Sequence, residues 1–325
     1  MTKRKDTDYL MISAAIRERE NRMLRHEQCE RILEAKNFAE AVHILSECGC
    51  GEVERADAEG IEKLIRARRS EVYAFLHSVL GGSELLDAFS LRYDYHNAKV
   101  LLKSGGENER LLLSGGRFEI AQLCEAFARD DFRALPYAFG GAIERAKQVL
   151  TESGDARRSD AILDAALFAE KQQLAQRSHS AFLKSYTALE TDIYNLRTAV
   201  RVRRSGGDES TLSGLLLRGG HLDIRALAAA QGSGFAELCR GGKLEKAGEE
   251  AARALEGASL TAFERACDDA LTESLCAARR MAFGEEVVIA YLAASETELT
   301  DIRILLNGKL AGLSADEIRP RLRAL

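Results

Sequence analysis

The sequence predicts an all-α protein, and three observations carry that prediction. Only two of its 325 residues are proline, Pro136 and Pro320, where about 5% is usual, so little in the chain interrupts a helix. Apolar residues make up 46% of the chain and charged residues 30%, a balance that favours a folded chain with a buried core over disorder. The alternation of apolar and polar residues that marks strands is nearly absent.

Glycine supplies the breaks that proline does not. Seven Gly-Gly pairs begin at positions 81, 105, 115, 140, 206, 219 and 241, and we expect them to end helices, since glycine reaches positive φ without steric cost. Two stretches without Gly or Pro, 155–205 and 258–283, are predicted to be helical and broken at most once. Helix starts are predicted at Ser159 and, with Glu264 completing a capping box, at Thr261.

Charge and cysteine usage narrow the class of protein. The chain carries 46 Lys and Arg against 51 Asp and Glu, a net charge of −5 without a clustered basic face, so we expect no nucleic-acid partner. The seven cysteines are scattered and odd in number, which is typical of reduced thiols in a cytoplasmic protein. The longest apolar run, 287–294, has eight residues, far short of the ~18 that span a bilayer. No signal sequence is expected.

A ten-residue motif occurs three times in the chain. Each copy begins with an acid, which is followed three positions later by an amide or a second acid. A basic residue stands five positions after the first acid, and a lysine, arginine or asparagine stands nine positions after it. The copies begin 98 and 106 residues apart. The motif positions are Asp94, Asn97, Lys99 and Lys103; Asp192, Asn195, Arg197 and Arg201; and Glu298, Asp301, Arg303 and Asn307.

A second pattern follows the first two copies. Three leucines, one further residue and a glycine pair occur at 111–116 and again at 215–220, 104 residues apart. The glycines are Gly115 and Gly116 in one copy, and Gly219 and Gly220 in the other. The chain is therefore predicted to consist of three helical repeat units of about 100 residues, 1–106, 107–207 and 208–325.

The acid of each motif lies inside an apolar stripe. On a helix, at about 100° per residue, Asp94 falls between Leu101 and Ala98, and the other two copies repeat this arrangement. A buried carboxylate needs a partner, because an isolated buried charge costs several kcal/mol. Two interpretations are open: each acid holds a neighbouring helix end within its unit, or the three acids form part of a surface that binds a partner.

Catalysis is a poor fit to this pattern. An active site needs different roles for acid, base and nucleophile at one place, and three equivalent copies do not provide them. Asp268 and Asp269 resemble an aspartate cluster of helical isoprenoid synthases, but position 272 is Thr272 and no second cluster follows. We therefore expect no catalytic residue, no metal, no cofactor and no small-molecule substrate.

Taken together, these segments resemble a known family, the C subunits of bacterial and archaeal V/A-type rotary ATPases, whose eukaryotic counterpart is the d subunit of the vacuolar enzyme. The resemblance covers essentially the whole chain and rests on the order and spacing of several modest motifs. The segments that carry it are 9–24, 93–99, 192–197, the turn 217–222 and 296–309. The Ala- and Gly-rich segment 226–242 departs from the pattern, which leaves helix boundaries in the third unit open.

The resemblance implies a funnel-shaped protein of three similar helical bundles around a pseudo-threefold axis. Such a protein is not an enzyme. It caps the cytoplasmic face of the proteolipid rotor ring, receives the foot of the central-stalk shaft, and couples ATP hydrolysis or synthesis to H⁺ or Na⁺ transport. It is peripheral to the membrane through the ring. On this basis the motif residues and glycine turns named above are candidate interface residues, and the alternative is a helical scaffold unrelated to rotary ATPases.

Overall fold

The computed structural model describes residues 6–105 and 109–323, and this part of the chain forms helices and turns without strands. The all-α prediction is confirmed. Contacts divide the chain into two compact units: Leu76–Thr187, and Met1–Phe75 together with Ala188–Leu325. The predicted boundary between residues 106 and 107 lies outside the described residues, and the division into three repeat units stays a prediction.

Sixteen α-helices occur within the described residues. In chain order they are α1 (Leu10–Glu20), α2 (His26–Glu34), α3 (Phe38–Glu47), α4 (Ala58–Leu80), α5 (Glu84–Ser104), α6 (Ile120–Arg129), α7 (Tyr137–Ser153), α8 (Ala156–Arg177), α9 (Ala181–Arg204), α10 (Glu209–Ser213), α11 (Ile224–Ala229), α12 (Gly234–Cys239), α13 (Glu245–Leu255), α14 (Leu260–Arg279), α15 (Glu285–Leu310) and α16 (Ala315–Ile318). Short 3₁₀ helices lie at Asp6–Tyr9, Glu109–Leu111 and Arg319–Arg321. The three motif copies fall on α5, α9 and α15.

The smaller unit is built around α5, α7 and α8. Helices α7 and α8 form an antiparallel hairpin, and α5 packs along α8. Gly154, at φ +65°, ends α7, and the carboxylate of Asp155 accepts hydrogen bonds from the first N–H groups of α8. Aromatic rings fill the interior, where Tyr95 meets Phe139 edge-on at 4.8 Å between ring centroids.

The larger unit contains two hydrophobic clusters. One brings α9 together with α11 to α14, with Leu196, Phe235 and Phe263 fully buried. The other joins α2, α3 and the first part of α4 to α15 and α16. Within this second cluster Ile302 and Leu305 of α15 pack with residues near the start of the chain, so its interior is assembled from segments far apart in sequence.

The long glycine-free stretches behave as predicted, but two predicted helix starts are wrong. Residues 155–205 form α8 and α9 with one break at 178–180. Helix α8 begins at Ala156 rather than after Ser159, because Asp155 caps it through the N–H groups of residues 157 and 158. Thr261 lies inside α14, whose first turn is held by the hydroxyl of Ser259.

Three of the seven glycine pairs do not end a helix, and two of these, at 115 and 219, lie in loops. Gly140 and Gly141 lie inside α7, against the expectation for such pairs. A Cβ at Gly140 would stand 2.9 Å from the carbonyl oxygen of Phe132. Close approach of the preceding loop, rather than a helix end, is the physical reason for glycine at this position.

Two further expectations can be compared with the described residues. None of their helices combines the length and the apolarity that a membrane crossing requires. The six cysteines whose side chains are described carry free thiols, and four of them are buried; the side chain of Cys276 lies outside the described part. Burial raises the pKa of Cys29, Cys50 and Cys267 to about 12, which is typical of unreactive core thiols.

Candidate functional site

The first motif copy holds a loop against α5. The carboxylate of Asp94, which is 0% exposed, accepts hydrogen bonds from the backbone N–H groups of Arg117 at 3.0 Å and Phe118 at 3.4 Å. Its other oxygen accepts from the guanidinium of Arg117 at 2.8 Å. Arg117 also pairs with Glu170 at 2.7 Å. The acid therefore fixes the segment that leads into α6.

Asn97, one turn further along α5, pairs with the same loop in a different way. Its side-chain amide donates to the carbonyl of Leu113 at 2.9 Å and accepts from the N–H of Leu113 at 2.8 Å. A side-chain amide can do both because it carries a donor and an acceptor together. Asp94 and Asn97 thus hold the two ends of the segment 113–118.

The second copy reproduces this arrangement on α9. Asp192 accepts from the N–H groups of His221 at 2.8 Å and Leu222 at 2.9 Å. Asn195 exchanges two hydrogen bonds of 2.7 Å with the backbone of Leu217. The loop 217–222 leads into α11, whose own cap is Asp223.

The third copy, on α15, uses two separate pieces of chain. Glu298 accepts from the backbone N–H of Leu24 at 2.7 Å and from the guanidinium of Arg68 at 3.0 Å. Asp301 accepts from the backbone N–H of Arg323 at 2.9 Å. Leu24 lies two residues before α2, just as Phe118 and Leu222 lie two residues before α6 and α11. The three acids therefore hold equivalent points, each just before the start of a helix.

The glycine pairs belong to the same contacts. A Cβ at Gly116 would collide with the carboxylate of Asp94, and a Cβ at Gly220 would collide with that of Asp192. Gly115 and Gly219 precede them at φ +97° and +102°, a backbone conformation that favours glycine. Each pair thus allows the loop to approach the acid closely enough for its N–H groups to reach the oxygens.

The basic motif residues form ion pairs with a neighbouring helix. Lys99 and Lys103 reach Asp164 and Asp160 on α8, at 2.5 and 2.6 Å. Because the two acids are spaced four residues apart, as the two lysines are, both pairs lie along one face of each helix.

The other two copies use arginine for the same purpose. Arg197 pairs with Glu264 and Asp268 of α14, and Arg201 with Glu264. Arg303 binds Glu62 of α4 through two hydrogen bonds of 2.7 and 2.9 Å. Asn307 donates back to the carbonyl of Arg303. Asp268 also accepts from Arg323 at 2.5 Å, so its charge is balanced by two arginines.

Burial changes the acidity of two motif carboxylates. It raises the pKa of Asp94 from 3.8 to about 6, although the guanidinium and N–H of Arg117 oppose the rise. Burial also raises the pKa of Asp301 to about 7, against the opposing N–H of Arg323. Both groups prefer the protonated form more than an exposed aspartate does, so each titrates between mildly acidic and neutral pH.

The structure brings the motif residues together within each copy, and their polar atoms form hydrogen bonds and ion pairs with other parts of the chain. Asp192 and Glu298 are 2% and 3% exposed, so their oxygens face backbone and arginine donors. Lys103 and Arg201 are exposed. No group of metal-ligating side chains occurs within residues 6–105 and 109–323. The arrangement positions loops; a role in binding a partner stays a proposal.

Sequence reasoning missed several residues of these sites. Arg117 and Arg68 neutralise two of the acids, and Leu24 and Arg323 supply backbone donors to the third copy. One signal was present: an apolar residue stands two positions before α2, α6 and α11, at Leu24, Phe118 and Leu222. The arginine partners carry no comparable local pattern.

These features define an all-helical protein that carries one motif three times, with carboxylates that tie helices to the loops that follow or precede them. The chain belongs to the family described as ATP synthase (C/AC39) subunit, whose profile matches residues 12–321. This membership confirms the resemblance and decides against a scaffold unrelated to rotary ATPases.

Individual relatives share the family description. The chain is 25% identical to the C subunit of the V-type ATP synthase of Thermus thermophilus, over 96% of this chain and 97% of that protein. It is 23% identical to the C subunit of the V-type sodium ATPase of Enterococcus hirae, over 81% of each. A match of 35% to the C subunit of the A-type ATP synthase of Halorubrum lacusprofundi covers 45% of this chain and 42% of that protein.

Proposed function

We propose that this chain is the non-catalytic component that caps the proteolipid rotor ring of a V/A-type ATPase and receives the central-stalk shaft. It couples ATP hydrolysis or synthesis to H⁺ or Na⁺ transport as a mechanical part. The observation that carries the proposal is the family match over residues 12–321, together with relatives of nearly equal length that are C subunits by name. The protein works on the cytoplasmic face, peripheral to the membrane.

The internal contacts fit a part that transmits torque. Each motif helix is tied to a loop through its acid and to a second helix through its basic residue. Such double ties resist sliding and twisting of one helix against another, because both the backbone hydrogen bonds and the ion pairs would have to break. A socket between two rotating parts needs this stiffness.

The candidate interface residues divide by exposure. The buried acids and amides act by setting the shape of the loops 113–118 and 217–222. The exposed Lys103, Arg201 and Gly219 offer surface to a partner. We therefore propose that the exposed residues contact the ring or the shaft and that the buried residues position the loops.

Reconstitution tests the proposal. The purified chain is mixed with the detergent-solubilised rotor ring and the shaft proteins, and we expect it to co-migrate with both in size-exclusion chromatography. Arg201→Glu, in the candidate interface, should weaken this association. Arg157→Glu, an exposed residue of α8 outside the candidate set, serves as the matched control. A folded wild-type chain that migrates apart from ring and shaft would refute the proposed function.

A further inference from the structure

The third motif copy differs from the others in the group that meets its second residue. Asn97 and Asn195 each exchange two hydrogen bonds with the backbone of a leucine, in the loop that leads into the next helix. Asp301, at the equivalent position, accepts from the backbone N–H of Arg323 at 2.9 Å. The third copy therefore carries an acid where its donor residue brings a positive charge.

The guanidinium of Arg323 reaches a different helix. Its Nε donates to Oδ2 of Asp268 on α14 at 2.5 Å. The other oxygen of Asp268 accepts from the guanidinium of Arg197, the basic residue of the second copy on α9, at 2.7 Å. All three side chains are largely withdrawn from solvent, with exposures of 18–29%. A continuous chain of contacts therefore runs from Arg197 through Asp268 and Arg323 to Asp301.

The two acids of this chain also influence each other through their charges. Burial is the main cause of the raised pKa of Asp301, and the negative charge of Asp268 raises that pKa further. The N–H and the charge of Arg323 lower it, as does the charge of Arg265 on α14. The carboxylates on α14 and α15 are therefore close enough for the charge of one to change the protonation of the other.

A carboxylate that two arginines hold cannot respond to each of them separately. Arg197 and Arg323 bind different oxygens of Asp268, so together they fix its rotamer and share its charge. Removing either arginine changes the geometry and the charge that the other one meets. Groups that belong to one hydrogen-bonded network accordingly show non-additive effects on stability when they are replaced.

The same helix offers a contact that lacks this second connection. Glu264, one turn before Asp268 on α14, pairs with Arg197 at 2.6 Å and with Arg201 at 2.6 Å. Within residues 6–105 and 109–323 it forms no pair with Arg323. Glu264 thus holds the second copy alone, whereas Asp268 holds the second copy and the donor of the third.

We propose that Asp268 is the positioning residue that couples the second and third motif copies, because its two oxygens bind Arg197 of one copy and the arginine that meets Asp301 of the other. A disturbance of the contact between α9 and α14 is transmitted to the contact between Arg323 and α15. The two copies then respond to load together. This coupling is a property of the folded chain and does not depend on the proposed function.

A double-mutant cycle tests the coupling. Arg197→Gln and Asp301→Asn are made singly and together in the full-length chain, and unfolding in urea is followed at pH 8, where Asp301 is charged. We expect the folding equilibrium constant of the double variant to differ about threefold or more from the product of the two single effects. In the Asp268→Asn background the two effects should multiply to within about twofold, because the link between them is gone.

Amide exchange of Arg323 gives a second readout. Its N–H is the donor to Asp301, so its exchange rate, corrected for the intrinsic rate, reports whether this contact is closed. Asp268→Asn should accelerate this exchange about tenfold or more, because Arg323 loses a charged hydrogen bond. Glu264→Gln is the matched control. It leaves the chain of contacts through Asp268 intact and should change the rate by less than about threefold.

Three results would overturn the coupling. They are effects of Arg197→Gln and Asp301→Asn that multiply while Asp268 is present, the same departure from multiplication in the Asp268→Asn background, and an exchange rate of Arg323 that Asp268→Asn leaves unchanged. If Asp268→Asn does not fold, Arg323→Gln breaks the chain instead, because it removes the guanidinium and keeps the backbone N–H that binds Asp301. The cycle repeated in that background should then become multiplicative.

Discussion

The carboxylate of Glu298 accepts a hydrogen bond of 2.7 Å from the backbone N–H of Leu24, 274 residues away. Asp94 and Asp192 make the same kind of contact with loops that follow them by 23 to 30 residues. The third copy thus completes, with a segment near the start of the chain, the contact that the other copies complete with their next loop. Each copy of the repeated motif thus makes an equivalent contact.

The third copy differs from the first two in the acid and also in the residue at the position of the glycine. Aspartate in the first two copies faces Gly116 and Gly220, where a Cβ would collide with the carboxylate. In the third copy the position equivalent to these glycines is Arg22. Glutamate is one methylene longer than aspartate and can reach its backbone donor from further away, which would accommodate a side chain at that position.

Replacing Asp192 by alanine should destabilise the free protein. The N–H groups of His221 and Leu222 would lose their acceptor in a partly buried contact, and an unsatisfied buried donor costs about 1–3 kcal/mol. We expect the free energy of unfolding in urea to fall by about 2–4 kcal/mol. Asp223→Ala, which removes an exposed helix cap, should cost about 1 kcal/mol. An unchanged melting temperature with lost ring binding would instead make Asp192 a partner-binding residue.

Replacing Gly220 by alanine should also destabilise the fold. The new methyl group would collide with the carboxylate of Asp192 and push the loop away from its acceptor, at a cost of about 1–3 kcal/mol. Gly82→Ala is the matched control, because nothing lies within 4 Å of a Cβ there and its φ is not positive. Thermal unfolding of the two variants checks this prediction, and equal melting temperatures would contradict it.

Asp301→Asn should remove a pH dependence of stability. The folded protein raises the pKa of Asp301 from 3.8 to about 7, because it favours the protonated carboxyl. Asp301 therefore adds its full share to the free energy of unfolding below pH 3.8 and loses that share as the pH rises through 7. Between pH 5 and pH 8 the free energy of unfolding of the wild type should therefore fall by about 2–3 kcal/mol more than that of the variant. Urea unfolding at both pH values measures the difference. Asparagine can still accept from Arg323, as Asn97 and Asn195 do from their loops. Parallel pH profiles would show that Asp301 is not the group responsible.

Asn195→Asp is the opposite change to Asp301→Asn, because it places an acid where the second copy has an amide. The new carboxylate would leave the carbonyl of Leu217 without its donor and would bury a charge at a position that is 1% exposed. We expect the free energy of unfolding to fall by about 2–4 kcal/mol at pH 8 and by less at pH 5, where the acid can take up a proton. Asn307→Asp is the control, since its amide donates to the carbonyl of Arg303 in its own helix. Equal effects of the two variants at pH 8 would disprove the special role of Asn195.

Local pattern was sufficient for the long helices within 155–205 and 258–283 and for the repeated motif. The scarcity of proline, the glycine pairs and the 3.6-residue spacing of apolar positions act over a few residues, so they can be read along the chain. They predicted α8, α9 and α14 and placed an acid in the apolar stripe of each motif helix. The start of α8 was predicted at Ser159, but Asp155, which is also a residue type that caps helices well, binds the free N–H groups.

Tertiary structure decided which group each buried acid meets. Nothing near Glu298 in the sequence points to Leu24 or Arg68, because that contact depends on the packing of α15 against α2 and α4. The same holds for Gly140, whose place inside α7 follows from the approach of Phe132. Short-range propensity and periodicity determine that a carboxylate is buried, whereas its partner is fixed by the three-dimensional path of distant chain segments.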